Sequence, residues 1–162
     1  MTHSLPDGAT PVDDDEAAGL IPTFVATRAD LNLVEQVGVA AARAWAARSP
    51  AARTVESILS EKFVRQLHRQ MYGTVWRWAG TYRTSERNIC VDPARIPVAV
   101  RDLVDNARLW VAPGTAWITP ESARVRVHHQ MVAIHPFPNG NGRHARQFTD
   151  LLTRRLEVAP FT

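Results

Sequence analysis

The chain of 162 residues has one cysteine, one lysine and no long apolar run. Because Cys90 is the single cysteine, an intrachain disulfide is excluded, and nothing in the sequence argues for an oxidising compartment. No apolar stretch is long enough to cross a bilayer, and the acidic N-terminus has neither the basic nor the apolar part of a signal peptide. These absences predict a cytoplasmic protein with no membrane partner.

Arginine carries nearly all of the positive charge, since Lys62 is the only lysine. Residues 1–20 contain no Lys or Arg, so the remaining chain holds 19 basic against 11 acidic side chains, a formal charge of +8. Guanidinium groups suit phosphate better than ammonium groups do. The positive charge therefore has two interpretations. Most of these arginines are expected to lie on a solvated surface, and the second interpretation is that some of them bind an anionic ligand, either a nucleotide or nucleic acid.

The length favours one domain, and most of it has helical periodicity. Residues 1–22, rich in Asp, Gly, Pro and Thr, are predicted to be a flexible lead-in to a domain that spans 23–162. Between Tyr82 and Pro97 the helical period is lost, and short extended pieces predict a loop or small hairpin. The pattern predicts an all-α domain of about five helices with one small β-hairpin.

One loop interrupts the helical pattern near the C-terminus. The segment His135–Arg146 reads HPFPNGNGRHAR and lies between two predicted helices. Pro136 and Pro138 keep the residues before them out of helical geometry. His135, at the upstream end of this loop, has the chemistry of a general base.

The downstream end of the loop has the composition of an anion-binding turn. Gly140, Asn141 and Gly142 come directly before a helix, where glycines admit positive φ and free N–H groups can bind an anion. Arg143 and Arg146 lie three residues apart and place two guanidinium groups beside this turn. A di- or triphosphate would use all of these groups, so the loop predicts a base poised beside a polyphosphate.

HPFPNGNGRHAR resembles the motif HxFx(D/E)GNGRxxR of the Fic/Doc (Fido) family and matches every fixed position except one. Upstream, the segment 78–83 and Asn88-Ile89 resemble the lead into the Fic flap, and residues 8–22 resemble a bacterial subgroup called mobile mystery protein B. The resemblance implies a Fic-type helical domain with a small β-hairpin flap. Because relatives usually continue with more helix beyond Thr162, we expect a domain that is truncated at its C-terminus.

The resemblance also implies an activity. A Fic-type protein adenylyltransferase (AMPylation) transfers AMP from ATP to a Ser, Thr or Tyr hydroxyl of a target protein and releases pyrophosphate. In this chemistry His135 deprotonates the hydroxyl and Phe137 anchors the loop in the core. The phosphates are held by the glycine-rich turn and the two arginines, which are Gly140, Asn141, Gly142, Arg143 and Arg146.

Two partners besides ATP follow from the resemblance. The target protein would add a strand to the flap, which aligns its hydroxyl with the base. The flap residues are Arg83, Thr84, Asn88, Ile89 and Val91. The resembled subgroup is commonly encoded beside a helix-turn-helix protein, which makes such a protein a second expected partner. Cys90, where the flap often has glycine, is interpreted as a tolerated small residue.

Asn139 is the position at which the motif departs from the family. Relatives have Asp or Glu there, which holds Mg²⁺ against the phosphates. An amide oxygen can ligate Mg²⁺ but brings no charge, so a lower metal affinity and slower turnover are expected. The alternative hypothesis is a nucleotide-binding Fic-fold module with little or no transferase activity.

Glu35 is the nearest candidate for an inhibitory glutamate. Many Fic proteins carry the motif (S/T)xxxE(G/N), whose glutamate pairs with the second motif arginine, here Arg146. Leu31 stands where the motif has Ser or Thr, and Gln36 follows the glutamate. These departures favour a solvated glutamate on a helix face.

A nuclease that uses His135, Asn141 and His144 is a third hypothesis. It would need acidic metal ligands nearby, and Glu121 is the only acid in residues 121–149. The spacing of the histidines matches no zinc motif, so His128 and His129 are predicted to be core or capping residues. Nucleic acid is therefore not an expected partner.

Overall fold

The computed structural model describes residues 17–86, 90–114 and 118–156. Its α-helices are α1 (Arg28–Arg48), α2 (Val55–Ile58), α3 (Glu61–Tyr72), α4 (Ile96–Trp110), α5 (Pro120–Ile134) and α6 (Asn141–Arg155), with 3₁₀ helices at Pro50–Ala52 and Pro93–Arg95. The predicted all-α class is confirmed. The predicted β-hairpin flap is not seen in these ranges, where one isolated bridge joins Leu20 to Trp76. No helix of the described ranges is long and apolar enough to cross a bilayer.

Three of the longer helices, α1, α3 and α5, begin at side-chain caps of the kind that Ser and Thr form. Thr27 Oγ1 accepts the N–H of Asp30 at 3.1 Å, and the Asp30 carboxylate accepts the N–H of Thr27 at 2.9 Å. Ser60 caps α3 and Thr119 caps α5, each through its side-chain oxygen. Each cap satisfies an N–H group that the first helical turn leaves without a partner.

Helix α3 lies at the centre of the core. Helix α1 packs on α3, α6 packs between α3 and α5, and α4 packs on α5. The ring of Phe63 on α3 stacks on Trp45 of α1 at 6.0 Å and meets Phe148 of α6 at 6.2 Å. Aromatic contacts of this kind add to the free energy gained by burying apolar area.

Helix α1 approaches α3 closely at Gly38. A Cβ atom at this position would collide with the main-chain oxygen of Met71. The close approach brings Glu35, one turn earlier on α1, down into the core, where its side chain is 1% exposed. The α1–α3 contact thus delivers an acidic group to the region beneath the α5–α6 loop.

The chain before α1 is anchored for part of its predicted lead-in. The N–H of Ile21 bonds to the carbonyl of Val75 at 2.8 Å, and the N–H of Arg77 bonds to the carbonyl of Gly19 at 2.8 Å. The prediction that the whole of 1–22 is a flexible lead-in is therefore wrong for residues 19–21. Residues 1–16 lie outside the described ranges.

Candidate active site

His135 ends α5 in the left-handed conformation, with φ 51° and ψ 60°. Among the described residues it is the only non-glycine with positive φ. Pro136 follows, lacks an N–H and cannot continue the helix. The imidazole is half-buried at the start of the loop, so it is accessible to a reacting group.

Phe137 holds the loop in the core, and a histidine that the sequence analysis missed supports it. The Phe137 ring is fully buried and stacks on His68 of α3 at 3.8 Å. The N–H of Gly80 donates to His68 Nδ1 at 3.0 Å, so Nε2 carries the proton and donates to the Asn139 carbonyl at 3.0 Å. Burial, and next the neighbouring His144, hold the pKa of His68 well below its usual range.

The side chain of Asn141 closes the loop on itself. Its Oδ1 accepts the Phe137 N–H at 2.9 Å, and its Nδ2 donates to the Phe137 carbonyl at 2.7 Å. The side chain is therefore used within the loop, and the phosphate-binding role of Asn141 through its main-chain N–H stays a prediction. Asn141 offers a ligand only its main-chain N–H, as the first residue of α6.

Gly140 is the N-cap of α6, with φ 78°. A Cβ atom there would lie 2.6 Å from the Tyr72 ring, so both the backbone conformation and the space require glycine. Because the cap has no side chain, the first N–H groups of α6 are left for another partner. Gly142 is exposed and has nothing within 4 Å of its Cβ position, so a ligand can approach this turn closely.

The residues of the loop fit a protein-held Mg²⁺ poorly. Asn139 is the predicted ligand, and its Oδ1 already accepts the Gly140 N–H at 2.6 Å. The loop contains no carboxylate, and the described residues have no group of three His, Cys, Asp or Glu side chains that could bind a metal. Since Mg²⁺ prefers carboxylate and phosphate oxygens, the chain supplies at most one neutral ligand here.

Glu35 meets the first motif arginine. Arg143 Nη2 donates to Glu35 Oε2 at 2.5 Å, and Trp76 Nε1 donates to Glu35 Oε1 at 3.0 Å. The predicted solvated helix face is therefore wrong, and the partner of Glu35 is Arg143, whereas the inhibitory motif would imply Arg146. The side chain of Arg143 remains 41% exposed and lies over the Tyr72 ring at 5.7 Å, so part of its guanidinium faces outward.

A groove of about 500 Å³ lies between α1 and α6. Its walls carry three arginines, two from the motif and one from α1, together with one acid. The lining residues are Gln36, Val39, Ala40, Arg43, Arg143, Arg146, Gln147 and Asp150. Arg43 Nε donates to Gln147 Oε1 at 2.8 Å, and Arg146 is exposed. The volume is in the range of small-molecule sites, and the charge suits an anion.

The described flap residues differ in exposure. Arg83 is 2% exposed and its side chain donates to main-chain carbonyls, so that side chain faces the core, and strand addition of a target protein to the flap main chain stays a prediction. Thr84 is exposed and Val91 packs partly against the core. Asn88 and Ile89 lie outside the described ranges.

Two further histidines have structural positions. His144 is fully buried, and its Nε2 bonds to the Val64 carbonyl at 2.8 Å. Burial lowers the pKa of His144 to about 4. His128 lies 3.5 Å from Thr149 Oγ1, and His129 is exposed, so the core-or-cap prediction is wrong for His129. With His144 buried and the Asn141 side chain engaged, the nuclease hypothesis keeps only His135.

The residues that sequence reasoning missed come from two other helices and the segment after α3. His68 and Tyr72 lie on the apolar face of α3, a pattern that marks burial but not the loop that they touch. Trp76 and Arg43 carry no local signal for their partners. His68 and Tyr72 meet the loop, Arg43 lines the groove and Trp76 binds Glu35 only because distant parts of the chain pack together.

The fold and the loop define a class of helical domain in which one loop carries a histidine and a glycine-rich turn, and two arginines at the start of the next helix line a groove. Residues 58–153 match the Fic/DOC family. This segment is more than half of the chain, so the protein belongs to the Fic/DOC family. The match is to the family as a whole, and the mobile mystery protein B subgroup stays a prediction.

Similar proteins include "Protein adenylyltransferase fic-1" from Caenorhabditis elegans, 30% identical over 103 residues, which are 60% of this chain and 20% of that protein. A solved fragment of Fic-1 from C. elegans has a TM-score of 0.66 at 28% identity, covering 90% of this chain and 42% of that chain. A Fic domain containing signaling protein from Bacteroides thetaiotaomicron has a TM-score of 0.56 at 26% identity, and the match covers 82% of this chain and 51% of that chain. The chain thus spans about half or less of the length of these relatives.

Proposed function

We propose that the protein transfers AMP from ATP to a Ser, Thr or Tyr hydroxyl of a target protein. The observation that carries the proposal is the arrangement of the α5–α6 loop. His135 stands at one end, the uncapped N-terminus of α6 at the other, and Arg143 and Arg146 line the adjoining groove. The similarity to a protein named an adenylyltransferase favours this reaction over other uses of the same groups.

The proposed reaction is a displacement at the α-phosphorus of ATP. His135 accepts the proton of the target hydroxyl as its oxygen forms a bond to the α-phosphorus. The bond from that phosphorus to the bridging oxygen of the β-phosphate breaks, and pyrophosphate leaves. The new bond joins AMP to the target protein.

The leaving group carries most of the developing charge, and the groove is basic where it would lie. Main-chain N–H groups at the start of α6 point toward an anion there, and the helix dipole favours negative charge. Arg143 and Arg146 add two guanidinium groups, which bind the outer phosphates and offset charge on the leaving pyrophosphate. Arg43, from α1, is a third positive group on the same groove.

We propose that Mg²⁺ enters with the nucleotide, held mainly by phosphate oxygens. Asn139 offers one remaining lone pair of Oδ1, because the other accepts the Gly140 N–H. Bound there, the ion would neutralise phosphate charge. The supply of a single neutral ligand by the chain favours a high Mg²⁺ requirement and slow turnover.

The alternative function is a nucleotide-binding module with little or no transfer. The Asn139 side chain favours it, because a neutral oxygen that is already hydrogen-bonded holds metal weakly. The ion pair between Glu35 and Arg143 also favours it, because it occupies part of a phosphate-binding group. In this alternative the protein binds ATP and modifies nothing.

A labelling experiment separates these functions. The protein is incubated with Mg²⁺, a cell lysate and ATP labelled at the α-phosphate, and in parallel with ATP labelled at the γ-phosphate. AMP transfer predicts labelled protein bands with the α-label only, whereas phosphoryl transfer would give bands with the γ-label. His135→Ala should abolish the bands, and His129→Ala, at an exposed histidine, should leave them unchanged.

ATP affinity measured by calorimetry identifies the alternative. Binding of ATP without any labelled band supports the nucleotide-binding module, and absence of both contradicts both functions. Mass spectrometry of a labelled band identifies the target protein and the modified hydroxyl. Co-purification with the helix-turn-helix protein that the subgroup resemblance suggests would test that second partner.

A further inference from the structure

Arg83 is a buried cation at the end of the helix that carries the proposed base. Its side chain is 2% exposed. Nε donates to the main-chain oxygen of His135 at 2.6 Å, and Nη2 lies 3.3 Å from the main-chain oxygen of Ile134. These are carbonyls of the last turn of α5, which have no partner within the helix and lie at the negative end of its dipole.

The same guanidinium binds main-chain carbonyls at both ends of the segment 85–91. Nη1 donates to the Ser85 carbonyl at 2.7 Å, and Nη2 donates to the Val91 carbonyl at 2.5 Å. The main-chain N–H of Arg83 also donates to the Pro136 carbonyl at 2.9 Å. One side chain therefore joins the C-terminus of α5 to the two described ends of this segment.

The main chain at His135 needs such support. Its left-handed conformation is unfavourable for a residue with a Cβ atom, and it persists where surrounding contacts hold it. The two peptide groups that follow His135 are both held by Arg83, the first by Nε at the His135 oxygen and the second by the Arg83 N–H at the Pro136 oxygen. Only a rigid, planar fork with several donors can bind carbonyls in these directions at once, which a lysine cannot do.

We propose that Arg83 is a positioning residue for the transfer reaction, fixing the main chain of His135 and so the direction of its imidazole. This inference rests on the proposed function, because positioning matters only if His135 is the base. The contacts of Arg83 named above run to the end of α5, to Pro136 and to the segment 85–91, and not to the first turn of α6, so we expect ATP affinity to survive its replacement. Small displacements of a reacting group can reduce a rate on the order of 10²-fold.

The test compares transfer rate and ATP affinity in Arg83→Ala and Arg83→Lys, with Arg77→Ala as the control at an exposed arginine. Both Arg83 variants should lose transfer, on the order of 10²-fold, while their affinity for ATP stays within about twofold of the wild type. Guanidinium ion at low, non-denaturing concentration should restore part of the activity of Arg83→Ala, and methylammonium should not. A general loss of structure would instead lower ATP affinity and transfer together, which would overturn the proposal, as would wild-type rates in both variants.

A second readout keeps the proposal testable if the wild type transfers nothing. The main-chain ¹³C chemical shifts of His135, measured by NMR on labelled protein, report its left-handed conformation. In Arg83→Lys these shifts should move away from left-handed values, while the signals at the start of α6 stay in place. Unchanged His135 shifts would overturn the positioning role whether or not the protein is a transferase. Arg83→Lys keeps the positive charge and most of the side-chain volume. It is therefore the variant for this NMR measurement, which does not require that Arg83→Ala folds.

Discussion

Replacing Glu35 by Gln removes one negative charge from the proposed phosphate site and changes little else. The Glu35 carboxylate is 1% exposed and has two partners, Arg143 at 2.5 Å and Trp76 at 3.0 Å. A glutamine has nearly the same volume and keeps an oxygen that can accept the Trp76 N–H. The substitution therefore tests charge without opening a cavity.

Two effects of this substitution oppose each other. Loss of the carboxylate frees Arg143 for the phosphates. It also removes the repulsion between the carboxylate and the phosphates, which at about 6 Å and an effective dielectric constant near 20 is roughly 3 kcal/mol per pair of charges. Against this, Arg143 loses a bond that helps to hold it in place, worth about 1 kcal/mol because its side chain is 41% exposed. After allowance for solvent screening, we expect the first effect to exceed the second by about 1.4 kcal/mol of binding free energy, so ATP should bind about tenfold more tightly.

Calorimetric titration with ATP and with AMP measures the effect. The gain should be much smaller for AMP, because the outer phosphates are the groups that Arg143 binds. Glu121→Gln, which removes an exposed acid from the first turn of α5, is the matched control and should change neither affinity. Labelling of target proteins should rise in Glu35→Gln if the Glu35–Arg143 pair restrains the reaction.

Two results would refute this reasoning. About tenfold weaker binding of ATP would mean that Glu35 holds Arg143 in the position that the ligand needs. Equal changes for ATP and AMP would mean that Arg143 does not contact the outer phosphates.

Four further predictions follow from the site. His135→Ala should abolish transfer and leave ATP affinity unchanged by calorimetry; equal labelling would remove this residue from the mechanism. Arg146→Ala should weaken ATP about tenfold or more, since a charge-assisted hydrogen bond contributes roughly 1.5–3 kcal/mol, and should affect AMP much less. Asn139→Asp should lower the Mg²⁺ concentration for half-maximal activity and raise the rate, yet weaken ATP in EDTA; an unchanged Mg²⁺ titration would show that this side chain does not touch the metal. His144 stays neutral when folded because its pKa is lowered from 6.5 to about 4, whereas the unfolded chain takes up a proton near 6.5. His144 should therefore lower stability by about 3 kcal/mol as the pH drops from about 6.5 toward 4, in addition to the effect of His68, whose pKa is also lowered, and His144→Gln should reduce this dependence of Tm on pH while His129→Gln does not.

Features that depend on neighbours along the chain can be predicted without knowledge of the packing. Thr27, Ser60 and Thr119 start helices because a side-chain oxygen reaches an N–H three residues ahead. Gly140 and the prolines of the α5–α6 loop set backbone geometry that their own covalent structure dictates. For this reason the all-α class, most helix boundaries and the order of groups in the loop could be read before any packing was known.

Contacts between groups that are distant in the chain depend instead on how the helices pack. Glu35 reaches Arg143 across 108 positions of the chain, and Arg83 reaches His135 across 52. His68 supports the loop from a helix whose sequence shows nothing beyond an apolar face. Local preferences cannot predict such pairs, because they arise when apolar faces pack and buried polar groups must find partners inside the core. The burial of the Arg83 guanidinium could not be predicted for the same reason, since its sequence position lies in a loop while its side chain lies in the core.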